Sequence, residues 1–131
     1  MELSDAMIRN YDLQILGIGT NGHIGFNEPA PALAARTHRV TLKPETRKSN
    51  APLFGGDPAN VPPEALSMGM ATILHARAIV LLATGKSKAG CVERVVNGPL
   101  TTELPASFLQ LHDDVDIMLD VAAAEKLQPR P

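Results

Sequence analysis

The chain has 131 residues, 44% of them hydrophobic, and its formal net charge at pH 7 is −2. This length and composition predict one globular core, formed by residues 1–131 as a single domain. The nearly balanced charge, without a long basic block, argues against nucleic acid and against an anionic membrane surface as partners.

The apolar pattern predicts strands that alternate with helices, as is typical of the α/β class. The predicted strands cover residues 12–17, 39–42, 78–84 and 115–119. The predicted helices cover residues 44–50, 63–69, 87–96 and 121–127. The segment at 78–84 is rich in β-branched and aliphatic residues, which favours a strand buried on both faces.

Cysteine usage and the N-terminal sequence bear on the cellular compartment. The single cysteine, Cys91, excludes an internal disulfide, and its place in a helical pattern favours a packing role. The polar N-terminal stretch lacks the apolar region of a signal peptide, and the apolar runs are too short to cross a bilayer. We therefore expect a cytoplasmic protein without membrane segments.

Three glycines at the end of the first predicted strand have the spacing of a dinucleotide-binding loop. Gly17, Gly19 and Gly22 form the pattern G-x-G-x-x-G. Such a loop requires a helix from the third glycine and an acidic residue at the end of the next strand. Here Pro29 interrupts the helix and Lys43 follows the next strand, so the glycines do not predict a nicotinamide cofactor.

Three polar side chains follow the same strand: Asn21, His23 and Glu28. Open α/β sheets bind ligands at the carboxyl ends of their strands. An imidazole titrates near neutral pH, and a nearby carboxylate can orient the ring and support its charged form. The group therefore predicts general acid–base catalysis, whereas an isolated loop histidine would favour a structural role.

A second glycine turn follows the strand at 78–84. Gly85, Lys86 and Lys88 lie where a helix begins, and free backbone N–H groups at such a position attract anions. The stretch ends in Gly-Lys-Ser as a P-loop does, but Val80 stands at the position of that motif's first glycine. The pattern excludes a P-loop and leaves two interpretations open, an anion site or a solvated helix start.

The segment HDDVD at residues 112–116 has residue types that bind metals. Neighbouring residues on a strand point to opposite faces, so these side chains cannot converge on one ion without an unusual loop. We therefore predict no metal site. His38 and His75 stand alone in the sequence, and we expect both at the surface.

The stretch GIGTNGHIGFNEP, residues 17–29, resembles the signature of the glucosamine-6-phosphate deaminase family, also called glucosamine-6-phosphate isomerase. The resemblance covers nearly the whole chain. It implies a Rossmann-like layered sheet with flanking helices, which forms the C-terminal half of a larger domain. The implied reaction converts D-glucosamine 6-phosphate and water into D-fructose 6-phosphate and ammonia by aldose–ketose isomerisation and deamination, without a required cofactor.

The same resemblance implies a role for each residue of the motif. The family histidine that matches His23 opens the pyranose ring by acid–base catalysis, and the residues that match Asn21 and Glu28 assist and orient it. Lys88 matches a basic contact of the substrate phosphate, and we expect backbone amides at Gly22 and Gly85 to add to substrate binding. Because an amide carries no charge, Asn21 is expected to act by hydrogen bonding.

Two departures from the family pattern affect the implied site. Pro52 replaces an arginine that contacts the substrate phosphate, so phosphate binding depends more on Lys88. Family members also have an upstream segment, missing here, that supplies a glycine-rich phosphate loop and the aspartate that takes the proton from C2. Half a sheet would expose a strand edge and an apolar surface. We therefore expect a homo-oligomer or another partner that covers this edge.

Two other functions remain open at this point. A 6-phosphogluconolactonase-like hydrolase also has a Gly-His pair after a glycine-rich strand end, although the FNEP ending argues against it. A non-catalytic sugar-phosphate-binding module would explain the missing C2 base, but it leaves Asn21, His23 and Glu28 without a purpose. We expect an enzyme that acts on an amino-sugar phosphate.

Overall fold

The computed structural model describes residues 11–128, so the N-terminal stretch in which we predicted no signal peptide lies largely outside the described residues. The strands within this range are β1 (Leu13–Gly17), β2 (His38–Thr41), β3 (Glu64–Ser67), β4 (Ala78–Ala83) and β5 (Val115–Leu119). The α-helices are α1 (Pro44–Asn50), α2 (Met70–Leu74) and α3 (Ala89–Asn97). Short 3₁₀ helices cover Ala51–Phe54, Pro58–Asn60, Lys86–Lys88 and Pro105–Leu111.

The strands form two sheets. The main sheet is parallel in the order β1-β4-β5, with Ile15 opposite Val80 and Leu81 opposite Ile117. β2 and β3 form an antiparallel pair, and residues 38–67, which run from β2 through α1 to β3, are called the outer lobe below. The predicted α/β class is confirmed, because helices connect the strands of a parallel sheet.

One face of the main sheet carries the hydrophobic core. Leu16 of β1 and Leu81 of β4 belong to the same buried cluster as Cys91, Val92 and Val95 of α3. These helix positions recur at a spacing of three and four residues, which places them on one side of α3. The packing role predicted for the lone cysteine is confirmed, because its side chain lies inside this cluster.

The other face of the main sheet is largely apolar and exposed. Leu13 and Ile15 on β1, Leu82 on β4 and Met118 on β5 are 53%, 63%, 43% and 55% exposed. Leu82 and Met118 are paired neighbours, so the exposed side chains form one surface, which we call the open face. β4 is therefore not buried on both faces, as its composition predicted. Within the described range, about half of the surface of these four side chains stays exposed.

The helix predicted at residues 63–69 is wrong. Glu64–Ser67 form β3, which pairs with β2 so that Glu64 lies opposite Thr41 and Ser67 lies opposite His38. The local sequence has a proline followed by good helix formers, but pairing with β2 supplies hydrogen bonds that local propensity does not anticipate. The helical segment begins later, as the short helix α2, where no element was predicted.

The helix predicted at residues 121–127 is also wrong, because this segment is a series of turns. The Asp120 carboxylate accepts the Ala123 N–H at 2.7 Å and the Gly85 N–H at 3.0 Å. This contact is that of a helix N-cap, but the N–H groups of Glu125 and Leu127 bond to carbonyls three residues back, as in turns, so no α-helix continues. Asp120 thus joins the end of β5 to the glycine turn after β4.

We predicted no metal site among the histidines and acidic residues outside the first motif. Between residues 11 and 128, no group of three or more histidine, cysteine, aspartate and glutamate side chains is arranged to hold a metal ion. His112 Nε2 lies 2.7 Å from Ala76 O, and its Nδ1 accepts the Asp114 N–H at 3.0 Å. His75 is exposed, whereas His38 is half-buried.

The helices in the described part of the chain are too short, or too polar, to cross a membrane.

Neighbouring leucines on β4 test which face of the sheet carries the core. Leu81 is 0% exposed and Leu82 is 43% exposed. Leu81→Ala should lower the free energy of unfolding by about 2–5 kcal/mol, because it leaves a cavity in the core. Leu82→Ala is the matched control and should cost less than about 1 kcal/mol, as surface changes do. Urea unfolding measures both variants, and equal losses would contradict the assignment of the buried face.

Candidate active site

Two glycines shape the turn after β1. The Gly22 N–H donates to Gly19 O at 2.9 Å, and the Gly19 N–H donates to His23 O at 3.0 Å. A Cβ atom on Gly19 would lie 2.1 Å from the His23 ring, and one on Gly22 would lie 2.2 Å from Leu104. Gly22 also has a φ of +88°, which other residues rarely adopt. The glycines therefore make room for the imidazole and for core packing.

The structure brings together the three polar side chains of this turn. Asn21 lies between the other two, since its Nδ2 donates to Glu28 Oε2 at 2.7 Å and its Oδ1 lies 2.8 Å from His23 Nδ1. The backbone N–H of His23 also donates to Asn21 Oδ1, at 3.2 Å. Glu28 Oε2 itself lies 3.6 Å from His23 Nδ1. The amide thus links the carboxylate to the imidazole.

The partners of Asn21 determine where the proton of the neutral His23 ring lies. An ionised carboxylate only accepts hydrogen bonds, so the amide presents its NH₂ group to Glu28 and its carbonyl to His23. The His23 backbone N–H, which only donates, requires the same orientation. Because the carbonyl accepts from Nδ1, that nitrogen carries the proton, and Nε2 has the free electron pair. Nε2 is therefore the atom of His23 that can accept a proton.

The surroundings of His23 lower its pKa. Burial is the largest cause, the negative charge of Glu28 acts in the opposite direction, and the positive charges of Lys88 and Lys43 add to the lowering. Glu28 does favour the charged ring, as predicted, but the net effect favours the neutral form. At pH 7 the imidazole is therefore neutral, which is the state that a general base requires.

The pKa of Glu28 is lowered as well. Burial by itself raises this pKa, but hydrogen bonds from Thr46 and Asn21 and the positive charges of protonated His23 and of Lys43 outweigh it. Thr46 Oγ1 donates to Glu28 Oε1 at 2.6 Å, so each carboxylate oxygen has a donor. The carboxylate is ionised near neutral pH, and the stability it contributes is lost only as the pH falls through this lowered pKa.

A cavity of about 240 Å³ lies beside the imidazole. Its walls come from the turn after β1, from α1 and from the residue before α3, and they include Asn21, His23, Glu45, Thr46, Ser49 and Lys88. The cavity thus lies at the carboxyl ends of β1 and β4, where an open α/β sheet is expected to bind its ligand.

The two lysines of the second glycine turn have different surroundings. Lys88 lines the cavity together with His23, and its Nζ donates to Ile18 O. Lys86 instead lies 3.3 Å from Glu125 in an exposed ion pair. Of the two interpretations left open by the sequence, Lys88 fits the anion site and Lys86 fits the solvated helix start.

The two glycines that we expected to bind substrate have other partners. The Gly85 N–H donates to both carboxylate oxygens of Asp120, each at 3.0 Å. A carboxylate at this amide repels a phosphate, so the turn is not an open anion site. Gly22 is buried, and its N–H is bonded to Gly19 O. Both N–H groups thus have partners within the described chain, and the substrate-binding role expected of the two glycines stays a prediction.

Pro52 lies outside the cavity, in the 3₁₀ helix Ala51–Phe54 that follows α1, and its side chain is exposed. It adds no positive charge to the site. Among the described residues that line the cavity, Lys88 is the one lysine or arginine. A bound anion therefore depends on this side chain.

Sequence reasoning missed three residues of the site. Thr46 holds Glu28, and Glu45 adds a carboxylate to the cavity from the first turn of α1. Asn27 is buried, and its Nδ2 donates to Met68 O at 2.8 Å, which ties the turn to the chain after β3. Thr46 is 18 residues from Glu28, and no spacing rule indicates that α1 returns to the turn after β1.

The comparisons with known proteins point to one family. The sequence profile described as glucosamine-6-phosphate isomerases/6-phosphogluconolactonase matches residues 2–118. The chain belongs to this family. A glucosamine-6-phosphate deaminase of Rhodopirellula baltica is 56% identical over 119 residues, which cover 91% of this chain and 47% of that protein. A glucosamine-6-phosphate deaminase of Latilactobacillus sakei is 55% identical, over 88% of this chain and 49% of that protein.

Solved structures share the fold. The structure of a monomeric glucosamine-6-phosphate deaminase matches with a TM-score of 0.81 at 49% identity, over 88% of this chain and 47% of that one. A 6-phosphogluconolactonase from Trypanosoma cruzi matches with a TM-score of 0.67 at 24% identity, over 90% and 42%, and it supports the fold alone. The fold implied by the resemblance is confirmed. The chain spans about half the length of the curated relatives it matches.

The position of Lys88 beside His23 leads to a test that needs no substrate. Lys88→Met should raise the pKa of His23, because it removes a positive charge that disfavours the imidazolium. Lys86→Met is the matched control, since Lys86 pairs with Glu125 and should leave that pKa unchanged. NMR titration of the His23 ring measures both variants. An unchanged titration in Lys88→Met would show that the lysine does not face the imidazole.

Proposed function

We propose that the chain forms the ring-opening part of a glucosamine-6-phosphate deaminase active site. The observation that carries this proposal is the Asn21–His23–Glu28 group beside a cavity that also contains Lys88. Relatives at 56% and 55% identity bear the name glucosamine-6-phosphate deaminase, whereas the likeness to a 6-phosphogluconolactonase at 24% identity concerns the fold. The whole reaction converts D-glucosamine 6-phosphate and water into D-fructose 6-phosphate and ammonia.

Ring opening moves a proton from the anomeric hydroxyl to the ring oxygen while the bond between C1 and the ring oxygen breaks. Nε2 of neutral His23 accepts the hydroxyl proton, and the resulting imidazolium returns a proton to the ring oxygen. The bond from Nδ1 to Asn21 holds the ring in one orientation through both transfers. The Glu28 charge stabilises the imidazolium between them. The step consists of proton transfers, so it uses no cofactor.

We also propose that Lys88 contacts the substrate phosphate. A phosphate is the most negative group of an amino-sugar phosphate, and charge-assisted hydrogen bonds from an ammonium suit it. The support is the position of Lys88 at the cavity that His23 borders. Because Pro52 stands where the family has a phosphate-binding arginine, affinity for the phosphate should be lower than in family members with that arginine.

For the open face we propose coverage by a polypeptide like the part of the relatives that this chain does not match. Four exposed apolar side chains on one sheet face are typical of an interface. The solved deaminase relative is described as monomeric and is about twice as long as this chain, which favours such a segment over a second copy.

A cytoplasmic location remains part of the proposal, because sugar phosphates are intracellular metabolites.

His23→Gln tests the ring-opening role. Glutamine keeps a hydrogen-bond donor for Asn21 but does not titrate, so turnover of the cyclic substrate in the complete enzyme should fall by about 10²-fold or more. His75→Gln is the matched control at an exposed histidine and should leave turnover unchanged. A coupled ammonia assay measures both. Undiminished turnover by His23→Gln would remove the proposed base.

The 131-residue chain by itself should not release ammonia from glucosamine 6-phosphate at an appreciable rate. The resemblance assigns the C2 base to the segment that this chain does not match, and loss of a general base costs about 10²–10⁴-fold in rate. The ammonia assay compares the chain alone with the chain co-produced with the N-terminal half of the Rhodopirellula baltica relative. Co-production should restore turnover.

Variants of two exposed apolar residues test whether the N-terminal half of the relative restores turnover by binding to the open face. Ile15→Asp on the open face should prevent it, because a buried unpaired charge is unfavourable. Leu66→Asp on β3 is the matched control and should leave the restored turnover unchanged, because this side chain is 74% exposed and lies outside the open face. Turnover by the chain alone would contradict the proposal and would mean that a carboxylate of this chain serves as the C2 base, for which Asp57, Glu103 and Glu45 are candidates. Glu45 would then be favoured, because it lies in the cavity wall, whereas Asp57 is exposed and accepts the Ala59 N–H. Glu103 is exposed and lies outside the cavity wall.

A further inference from the structure

Thr46 connects α1 to the acid–base group, although the sequence indicated no role for it. The residue is 5% exposed and lies on the helix Pro44–Asn50. Its Oγ1 donates to Glu28 Oε1 at 2.6 Å, a length typical of a hydroxyl bonded to a carboxylate. Threonine hydroxyls inside helices often bond to the carbonyl of the preceding turn. This hydroxyl is turned to another segment of the chain instead.

The two oxygens of Glu28 are held from two directions. Asn21, on the turn after β1, donates to Oε2, and Thr46, on the outer lobe, donates to Oε1. The terminal torsion of a glutamate is broad, so a single donor leaves the plane of the carboxylate free to rotate. Two donors on different oxygens determine that plane. The hydrogen bond from Asn21 to Glu28 therefore depends on both donors, while the His23 backbone N–H holds the carbonyl end of the same amide.

The outer lobe is joined to the same turn at a second place. The Phe26 N–H donates to Ser67 Oγ at 3.0 Å, and Asn27 Nδ2 donates to Met68 O at 2.8 Å. These bonds hold the β3 side of the lobe. The Thr46 bond holds the α1 side, which is the side that contributes Glu45 and Ser49 to the cavity wall.

We propose that Thr46 is a positioning residue, whose hydroxyl fixes the carboxylate of Glu28 and through it the hydrogen-bonded pair of Asn21 and His23. The effect on turnover rests on the proposed function, whereas the effect on the hydrogen-bond network does not. α1 thereby acts on the acid–base group as well as lining the cavity. The consequence is that a displacement of α1 weakens one of the two supports of the Asn21 amide, the one that comes from Glu28.

The charged groups around the network come from several elements. Protonated His23 and Lys43 face Glu28, Lys43 and Lys88 face His23, and Glu45 lines the same cavity. Replacing the hydroxyl of Thr46 leaves all of these charges in place. A change in titration can then be attributed to the lost hydrogen bond.

The test compares Thr46→Val and Thr46→Ala, which lack the hydroxyl, with Thr46→Ser, which keeps it. Asn50→Ala is the control for α1 itself, because Asn50 Nδ2 donates to Thr46 O without contacting Glu28. NMR of the 131-residue chain follows the Glu28 carboxyl carbon and the His23 ring nitrogens as the pH changes. Circular dichroism confirms that each variant is folded.

Loss of the hydroxyl should raise the pKa of Glu28, because a hydrogen bond to the charged form is removed. It should also weaken the preference of neutral His23 for the Nδ1–H tautomer. Thr46→Ser and Asn50→Ala should retain both properties. If Thr46→Val and Thr46→Ala are folded and titrate as the unmodified chain does, or if Asn50→Ala shifts equally, the positioning role is refuted. Should both hydroxyl-free variants unfold, a Thr46 hydroxyl proton in fast exchange with water in the unmodified chain would refute it instead.

Kinetics separate this role from a merely structural one. In the complete enzyme, Thr46→Val should lower kcat by about tenfold and leave KM within about twofold, because the hydroxyl donates to Glu28 and acts on the reaction through it. In a His23→Gln background the same change should have no further effect, since Thr46 acts through His23. An undiminished loss in that background would contradict the proposal. If the complete enzyme lacks deaminase activity, the proposed function fails while the NMR result still decides the role of Thr46.

Discussion

The orientation of one amide, the side chain of Asn21, determines the chemistry of this site. Its NH₂ group can face only an acceptor and its carbonyl only a donor, so the Glu28 carboxylate on one side sets the protonated nitrogen of His23 on the other. The electron pair is thereby left on Nε2. An aspartate at this position would place a negative charge beside the imidazole, whereas the neutral amide orients the ring by hydrogen bonding alone. Burial then keeps the ring neutral, because the negative charge of Glu28 does not offset desolvation and the positive charges of Lys88 and Lys43.

Several surrounding segments hold the Asn21 amide and its two partners, Glu28 and His23, in place. Gly19 lets the imidazole approach the turn, because a Cβ atom there would collide with the ring. Asn27 and Ser67 join the turn to the outer lobe, and the lobe returns Thr46 to Glu28. The site is therefore assembled from segments that are distant in the sequence, and its acid–base group depends on the docking of a lobe that lies outside the main sheet.

Charge also distinguishes the two glycine turns at the carboxyl ends of the strands. The turn after β4 has the backbone of an anion site, but Asp120 already supplies the anion, as a carboxylate held by the Gly85 amide. The same carboxylate also accepts the Ala123 N–H, which fixes the turn after β5. Positive charge in the cavity comes instead from Lys88, one helical turn further on, where the chain faces His23. The open face on the same sheet is consistent with a chain that spans about half the length of its relatives.

The sequence by itself determined the elements whose pattern is local and the residues whose chemistry is distinctive. Strands β1, β4 and β5, helix α1 and the group Asn21, His23 and Glu28 were all predictable, because the alternation of apolar and polar residues and titratable side chains around glycines are local signals. Only the tertiary structure decided that residues 64–67 form a strand, since the hydrogen bonds that stabilise it come from β2. It alone placed Thr46 on Glu28 and Asp120 on Gly85, at separations of 18 and 35 residues. Contacts of this kind depend on which elements pack against each other, and the choice of partner leaves no periodic signal in the sequence.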